Sequence, residues 1–177
     1  MPAGSLAIFS VAERLKGAGI SVFQPILHVS FPEAASSAKG TKKDYLNFLF
    51  RIVTTQISLS AIAALLFVLF SDFIVEWFAG NEFIAAASIL KIWAASVVTV
   101  PLIEIILNHV FVANNKLFSY FASLLVHSIM TMSFVGIGIW MNDLKAVIIG
   151  TIAGELIFLV CLVAYFTRID KLMFAKR

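Results

Sequence analysis

Ile52-Val-Thr-Thr-Gln-Ile-Ser-Leu-Ser-Ala-Ile-Ala-Ala-Leu-Leu-Phe-Val-Leu-Phe70 carries no charge, and Arg51 and Asp72 stand just outside it. At a helical rise of about 1.5 Å per residue it covers about 30 Å, the thickness of a bilayer's hydrocarbon core. Segments at 6–31, 89–112, 118–141 and 146–166 are similarly apolar. Five crossings leave little chain for a soluble domain, so residues 1–177 read as one all-α membrane domain. The bulk composition agrees: 61% of residues are hydrophobic, mean hydropathy is +1.00, and 17 are Phe.

The charges sit at segment ends. Lys39, Lys42, Lys43, Arg51, Lys116, Arg168, Lys171, Lys176 and Arg177 fall on one side of a five-crossing path, and only Lys91 and Lys145 on the other. The positive-inside rule places the C-terminus in the cytoplasm and the N-terminus outside. The net charge of +3 is therefore a topology signal and does not point to a nucleic-acid partner. An outside N-terminus with no visible signal peptide implies preceding helices, an odd number of them if the longer protein starts in the cytoplasm. The single Cys161 excludes an internal disulfide.

Ionisable groups inside these segments are the informative departures, because charge in hydrocarbon is costly and usually lines a solute pathway. At about 100° per residue, Ser10, Glu13, Arg14, Gly17, Ser21, Gln24 and His28 share a wedge about 100° wide. Such a stripe suits a cavity wall. The alternative is that Glu13 and Arg14 pair with neighbouring helices and only fix packing. In the cavity reading Arg14 holds phosphate bidentately, Lys16 adds a flexible point charge from beside the stripe, and Glu13 neutralises Arg14 or carries a proton. Pro25 and Pro32 predict a bend or an end in this helix.

The third segment aligns Pro101, Glu104 and Asn108, as either a moving bend or a static kink. The fourth carries Ser119, Ser123, His127 and Thr131 along one line, with cross-helix hydrogen bonding the ordinary use. The fifth holds Gly150-Thr-Ile-Ala-Gly154, a spacing that permits close helix approach, and Glu155 near mid-membrane. Glu155 either couples to a cation or proton or accepts a neighbour's hydrogen bond. His109 is expected in a packing or surface role, and Thr54 to Ser60 as a polar entrance. There is no His-Glu-x-x-His, no Asp-x-Asp and no glycine-rich phosphate loop, so nothing points to an enzyme, a metal or a cofactor.

The run Ile8-Phe-Ser-Val-Ala-Glu-Arg-Leu15, continuing through Ser21-Val-Phe-Gln-Pro-Ile26 to Phe31-Pro-Glu33, resembles the C-terminal part of bacterial O-antigen and polysaccharide flippases, within the multidrug/oligosaccharidyl-lipid/polysaccharide exporter superfamily. Ala79-Gly-Asn-Glu-Phe83 and Ala87-Ser-Ile-Leu-Lys-Ile92 are similar to the family's outer turn and following helix, and Glu155 agrees in placement. The resemblance implies twelve helices in two bundles, of which this chain supplies the last five, with the N-terminal helices as partner. It implies inner-membrane translocation of a polyprenyl-pyrophosphate-linked oligosaccharide by alternating access. Arg14, Lys16, Gln24 and His28 would then face substrate, and Glu13, Glu104 or Glu155 would couple an ion or proton. An exporter of drugs or of peptidoglycan precursor, and an inactive truncated membrane protein, remain the alternatives.

Overall fold

The computed structural model describes residues 3–174; Lys176 and Arg177 of the basic tail lie outside them, as do the side chains of Arg168 and Lys171. The chain is an all-α membrane protein, with no strand among the described residues. Its helices are α1 (Ala3–Ser21), α2 (Gln24–Ser37), α3 (Lys42–Ala79), α4 (Ala86–Ile105), α5 (Leu117–Trp140) and α6 (Leu144–Phe174). A π-helical stretch, Ile106–Val112, continues α4, and a short 3₁₀ turn, Asn81–Phe83, precedes it. Four helices are long and apolar enough to cross a membrane: α3, α4 with its π extension, α5 and α6.

The segment expected as one helix over 6–31 is two. Pro25 has no N–H and a fixed φ, so it begins a helix better than it continues one. The turn before it tightens, with Phe23 N–H donating to the Ile20 carbonyl at 3.0 Å. Pro32 ends nothing, since α2 runs on to Ser37. Neither piece is a span by itself. α2 has 14 residues, and the 19 of α1 include Glu13, Arg14 and Lys16.

The connections expected at 32–51 and 71–88 are largely helical. α3 has 38 residues, about 57 Å along its path and nearly twice a hydrocarbon core, with a kink at Phe70 (φ −113°, ψ 15°). The Thr41 side chain caps its start, accepting from Asp44 N–H at 3.2 Å. Gly80 stops it at φ +93°, a backbone region that excludes most side chains. Between α4's extension and α5, and between α5 and α6, the chain turns on Asn115 (φ 57°) and Asn142 (φ 53°).

Cross-helix contacts fix the register. Phe9 meets Trp93, Gln24 meets Glu104, and Ser30 meets His109, so the α1–α2 pair runs parallel to α4. Asp72 pairs with Lys91, and Tyr45 reaches the His109 carbonyl, so α3 is antiparallel to α4. Ile148 packs in the cluster of Leu90, Thr99 bonds Glu155, and Leu162 packs in the cluster of Ile105, so α6 is parallel to α4. The broken α1–α2 pair thus traverses the same depth as α4 despite its charges.

α4 is the axis of the bundle. Burial reaches 56% of residues in its most apolar window, against 33% for α6, 11% for α3 and 6% for α5. Two apolar clusters pack around it. One holds Ala12, Val75, Leu90, Trp93, Ile148 and Ile152; the other holds Tyr45, Phe48, Ile105, Phe111, Phe158 and Leu162. Between them along α3, α4 and α6 lie the buried polar residues Gln56, Ser60, Ser96, Thr99 and Glu155.

Candidate functional site

The polar stripe of α1 is uncovered. Glu13, Arg14, Gly17 and Ser21 are exposed, as is His28 on α2, while Ala12 behind them is fully buried against α4. An intramembrane arginine and glutamate open to lipid would carry a desolvation cost of several kcal/mol, roughly 2.5–3.5 for a central Arg. The stripe therefore belongs against water or further protein. Lys16 does not join it. Its ammonium sits 4.3 Å from the centre of the Trp93 ring, which Phe9 also meets edge-on at 5.0 Å. The lysine stem lies along α1, and the charge rests on an aromatic face.

Farther along the same side, Gln24, His28, Glu104 and Asn108 come together. Gln24 Nε2 donates to Glu104 Oε2 at 2.8 Å, immediately after the α1–α2 break. Asn108 Nδ2 donates to the Glu104 backbone carbonyl at 2.9 Å. From Ile106 the ladder widens to π spacing, and at its end Ala113 N–H reaches the Asn108 carbonyl at 3.0 Å. Gln24, Leu27, His28, Phe31, Asn108 and Val112 enclose a cavity of about 230 Å³.

The wider turn also carries His109 into the core, fully buried. Its Nε2 lies 2.7 Å from Ser30 Oγ, and its ring stacks on Phe48. Tyr45 donates to the His109 carbonyl at 2.8 Å, and Asn114 donates to the Tyr45 oxygen at 2.8 Å. His109 therefore packs, locking α2 to α3 and α4 and so setting where Gln24 and His28 stand. An Arg51–Glu33 ion pair joins α3 to α2 at the same end.

Glu155 forms a separate centre on the other flank of α4. It is 4% exposed and accepts from Thr99 Oγ1 at 2.6 Å. His127 stacks on Phe158, one turn along α6, at 4.6 Å and lies within charge range of Glu155. Among the described residues, the hydroxyls of Ser96 and Thr131 and the Nε2 of His127 are buried without a partner. Thr99 and Glu104 are five residues apart on α4, about 140° around the axis, so the two carboxylate centres face different neighbours.

The polar entrance expected over Thr54 to Ser60 does not hold for Gln56 and Ser60, which turn inward. Both are fully buried, and Gln56 has neither side-chain oxygen nor nitrogen partnered among the described residues. The signal was their spacing with Tyr45, Leu49 and Ile52, which puts them on the stripe of α3 that faces α4; Thr54, Thr55 and Ser58 are exposed.

The glycines of α6 do mark a close approach. A Cβ at Gly150 would lie 3.0 Å from the Phe134 carbonyl oxygen, and one at Gly154 would lie 3.4 Å from Thr131 Cα. At Gly138 on α5 it would lie 2.5 Å from Val147 N, whereas Gly136 meets nothing within 4 Å.

Compared with family models, curated proteins and solved structures, the chain matches none.

Proposed function

We propose that this chain forms one helical bundle of a transporter that flips a polyprenyl-pyrophosphate-linked oligosaccharide across the bacterial inner membrane, with its C-terminus in the cytoplasm. The observation that carries the reading is the uncovered stripe of Glu13, Arg14, Gly17, Ser21 and His28 on a helix pair that runs the depth of the bundle. A charged, unroofed wall at membrane depth suits a water-filled cavity between two bundles, with the opposite wall supplied by the other bundle.

In this proposal Arg14 meets the pyrophosphate, because its planar guanidinium binds phosphate oxygens in pairs. Gln24 and His28 meet sugar hydroxyls at the cavity they line with Asn108. Lys16, held over Trp93, serves as the secondary charge. Glu104 and Glu155 are the carboxylates that load and release an ion or proton, and Glu13 balances Arg14. Alternating access follows when the two bundles rock about the cavity.

The test is Arg14→Ala in a cell whose surface glycan depends on this protein. Glycan should disappear from the outer leaflet while the protein stays at its normal level, since Arg14 is exposed and its removal leaves packing intact. Unchanged surface glycan rejects the phosphate contact. Retained glycan together with lost drug efflux or lost peptidoglycan-precursor export transfers the reading to those cargoes.

A further inference from the structure

The α5–α6 hairpin packs backbone against backbone over one half of its length. Its antiparallel register brings Gly138 to Val147, Phe134 to Gly150 and Thr131 to Gly154, and there the backbones touch. Toward the opposite end bulky Phe118, Phe158 and Tyr165 alternate with small Ala122, Ser123 and Cys161. The bulky side chains form walls, and the small ones leave the space between them. The result is a groove of about 310 Å³ with apolar walls, lying between mid-bundle and the basic end of the chain.

Its mouth is polar. Ser119 Oγ and Tyr165 OH stand 3.4 Å apart across it. Lys116 lies one turn before Ser119 and opens α5, whose first amide N–H groups have no carbonyl ahead of them within the helix. Phe118 is 87% exposed at this rim, and no salt bridge joins Lys116 to a carboxylate among the described residues. Apolar walls below hydroxyls, free amides and one ammonium complement an acyl chain below a phosphate.

We propose that this groove holds one acyl chain of an anionic phospholipid from the leaflet on the basic side, with the phosphate at Lys116, Ser119 and the start of α5. The site is independent of the cargo. A bound chain fills the groove and holds α6 against α4, where Thr99 meets Glu155.

The test uses the full chain in vesicles with diazirine-tailed phosphatidylglycerol or phosphatidylcholine, followed by mass-spectrometric mapping of adducts. Phosphatidylglycerol should label Phe118–Val126 and Phe158–Tyr165 about fivefold more than phosphatidylcholine does, the preference a single basic residue gives. Lys116→Gln should abolish that preference. Ala122→Phe should fill the groove and remove its adducts while labelling on the outer face of α3, at Leu69 and Phe73, stays constant. Equal labelling by both lipids, or groove labelling no higher than on α3, overturns the site as ordinary annular lipid. Displacement by an equimolar polyprenyl phosphate overturns the phospholipid assignment and gives the groove to an isoprenoid chain.

Discussion

Gln24 donates its side-chain amide to Glu104 at 2.8 Å across the two elements whose regular helices are both interrupted. On one side of the bond α1 gives way to α2 before Pro25, and on the other α4 passes into π spacing. One hydrogen bond ties the two interruptions together, so a movement of either helix end is felt by the carboxylate.

Gln24→Leu removes the donor from a half-buried carboxylate. The expected cost is about 1–3 kcal/mol of stability, the penalty for leaving a buried polar group unmade, read by thermal unfolding in detergent. Glu104→Gln retains an acceptor oxygen and should cost less. Equal melting of Gln24→Leu and wild type would show that solvent already serves Glu104.

Thr99→Val deletes the donor to Glu155 and keeps the shape. Because Glu155 is almost fully buried, a loss of about 1–3 kcal/mol is expected, with Thr99→Ser restoring most of it. If Glu155 carries the coupling ion or proton, Glu155→Gln should abolish gradient-driven transport while leaving substrate binding in place. Transport that persists at the wild-type rate removes Glu155 from coupling.

Gly138→Ala places a methyl group against the backbone at Val147, where no side chain can move aside. Overpacking of this kind costs about 1–3 kcal/mol, and here more is expected because the obstacle is main chain. Gly136→Ala, two residues away on the open face, should be neutral or slightly stabilising. The comparison is read from denaturant midpoints of the two variants. A harmless Gly138→Ala would mean that the hairpin is looser than this packing.

Topology is read from two substitutions in a Cys161→Ser background. The substitutions are Lys43→Cys and Glu82→Cys: Lys43, at the start of α3, and Glu82, in the 3₁₀ turn that follows its far end, are both exposed. The charge distribution places the first in the cytoplasm and the second outside, so an impermeant thiol reagent added to intact cells should label only position 82. The reverse pattern inverts the whole path.

The class of the protein was legible in the 52–70 run and its apolar companions, because span length and the cost of charge in hydrocarbon are properties of local sequence. The Gly150/Gly154 approach was legible for the same reason, since small residues at helical spacing leave few other uses. Pro25 announced a break but did not say that α2 would continue through Pro32. The helical ends of α3 were hidden because their residues are charged, and hydropathy ends where charge begins.

The site divided along the same line. Sequence determined which residues carry charge and which share a helix face, so the stripe from Glu13 to His28 and the outliers Glu104 and Glu155 followed from period and composition alone. Only the tertiary structure decided who meets whom. It drew Lys16 onto Trp93, joined Gln24 to Glu104, gave Glu155 to Thr99, and buried Gln56 and His109. Those outcomes depend on helix register and on the rotation of α4 between its neighbours, which are set by packing across the bundle and appear in no single helix's sequence.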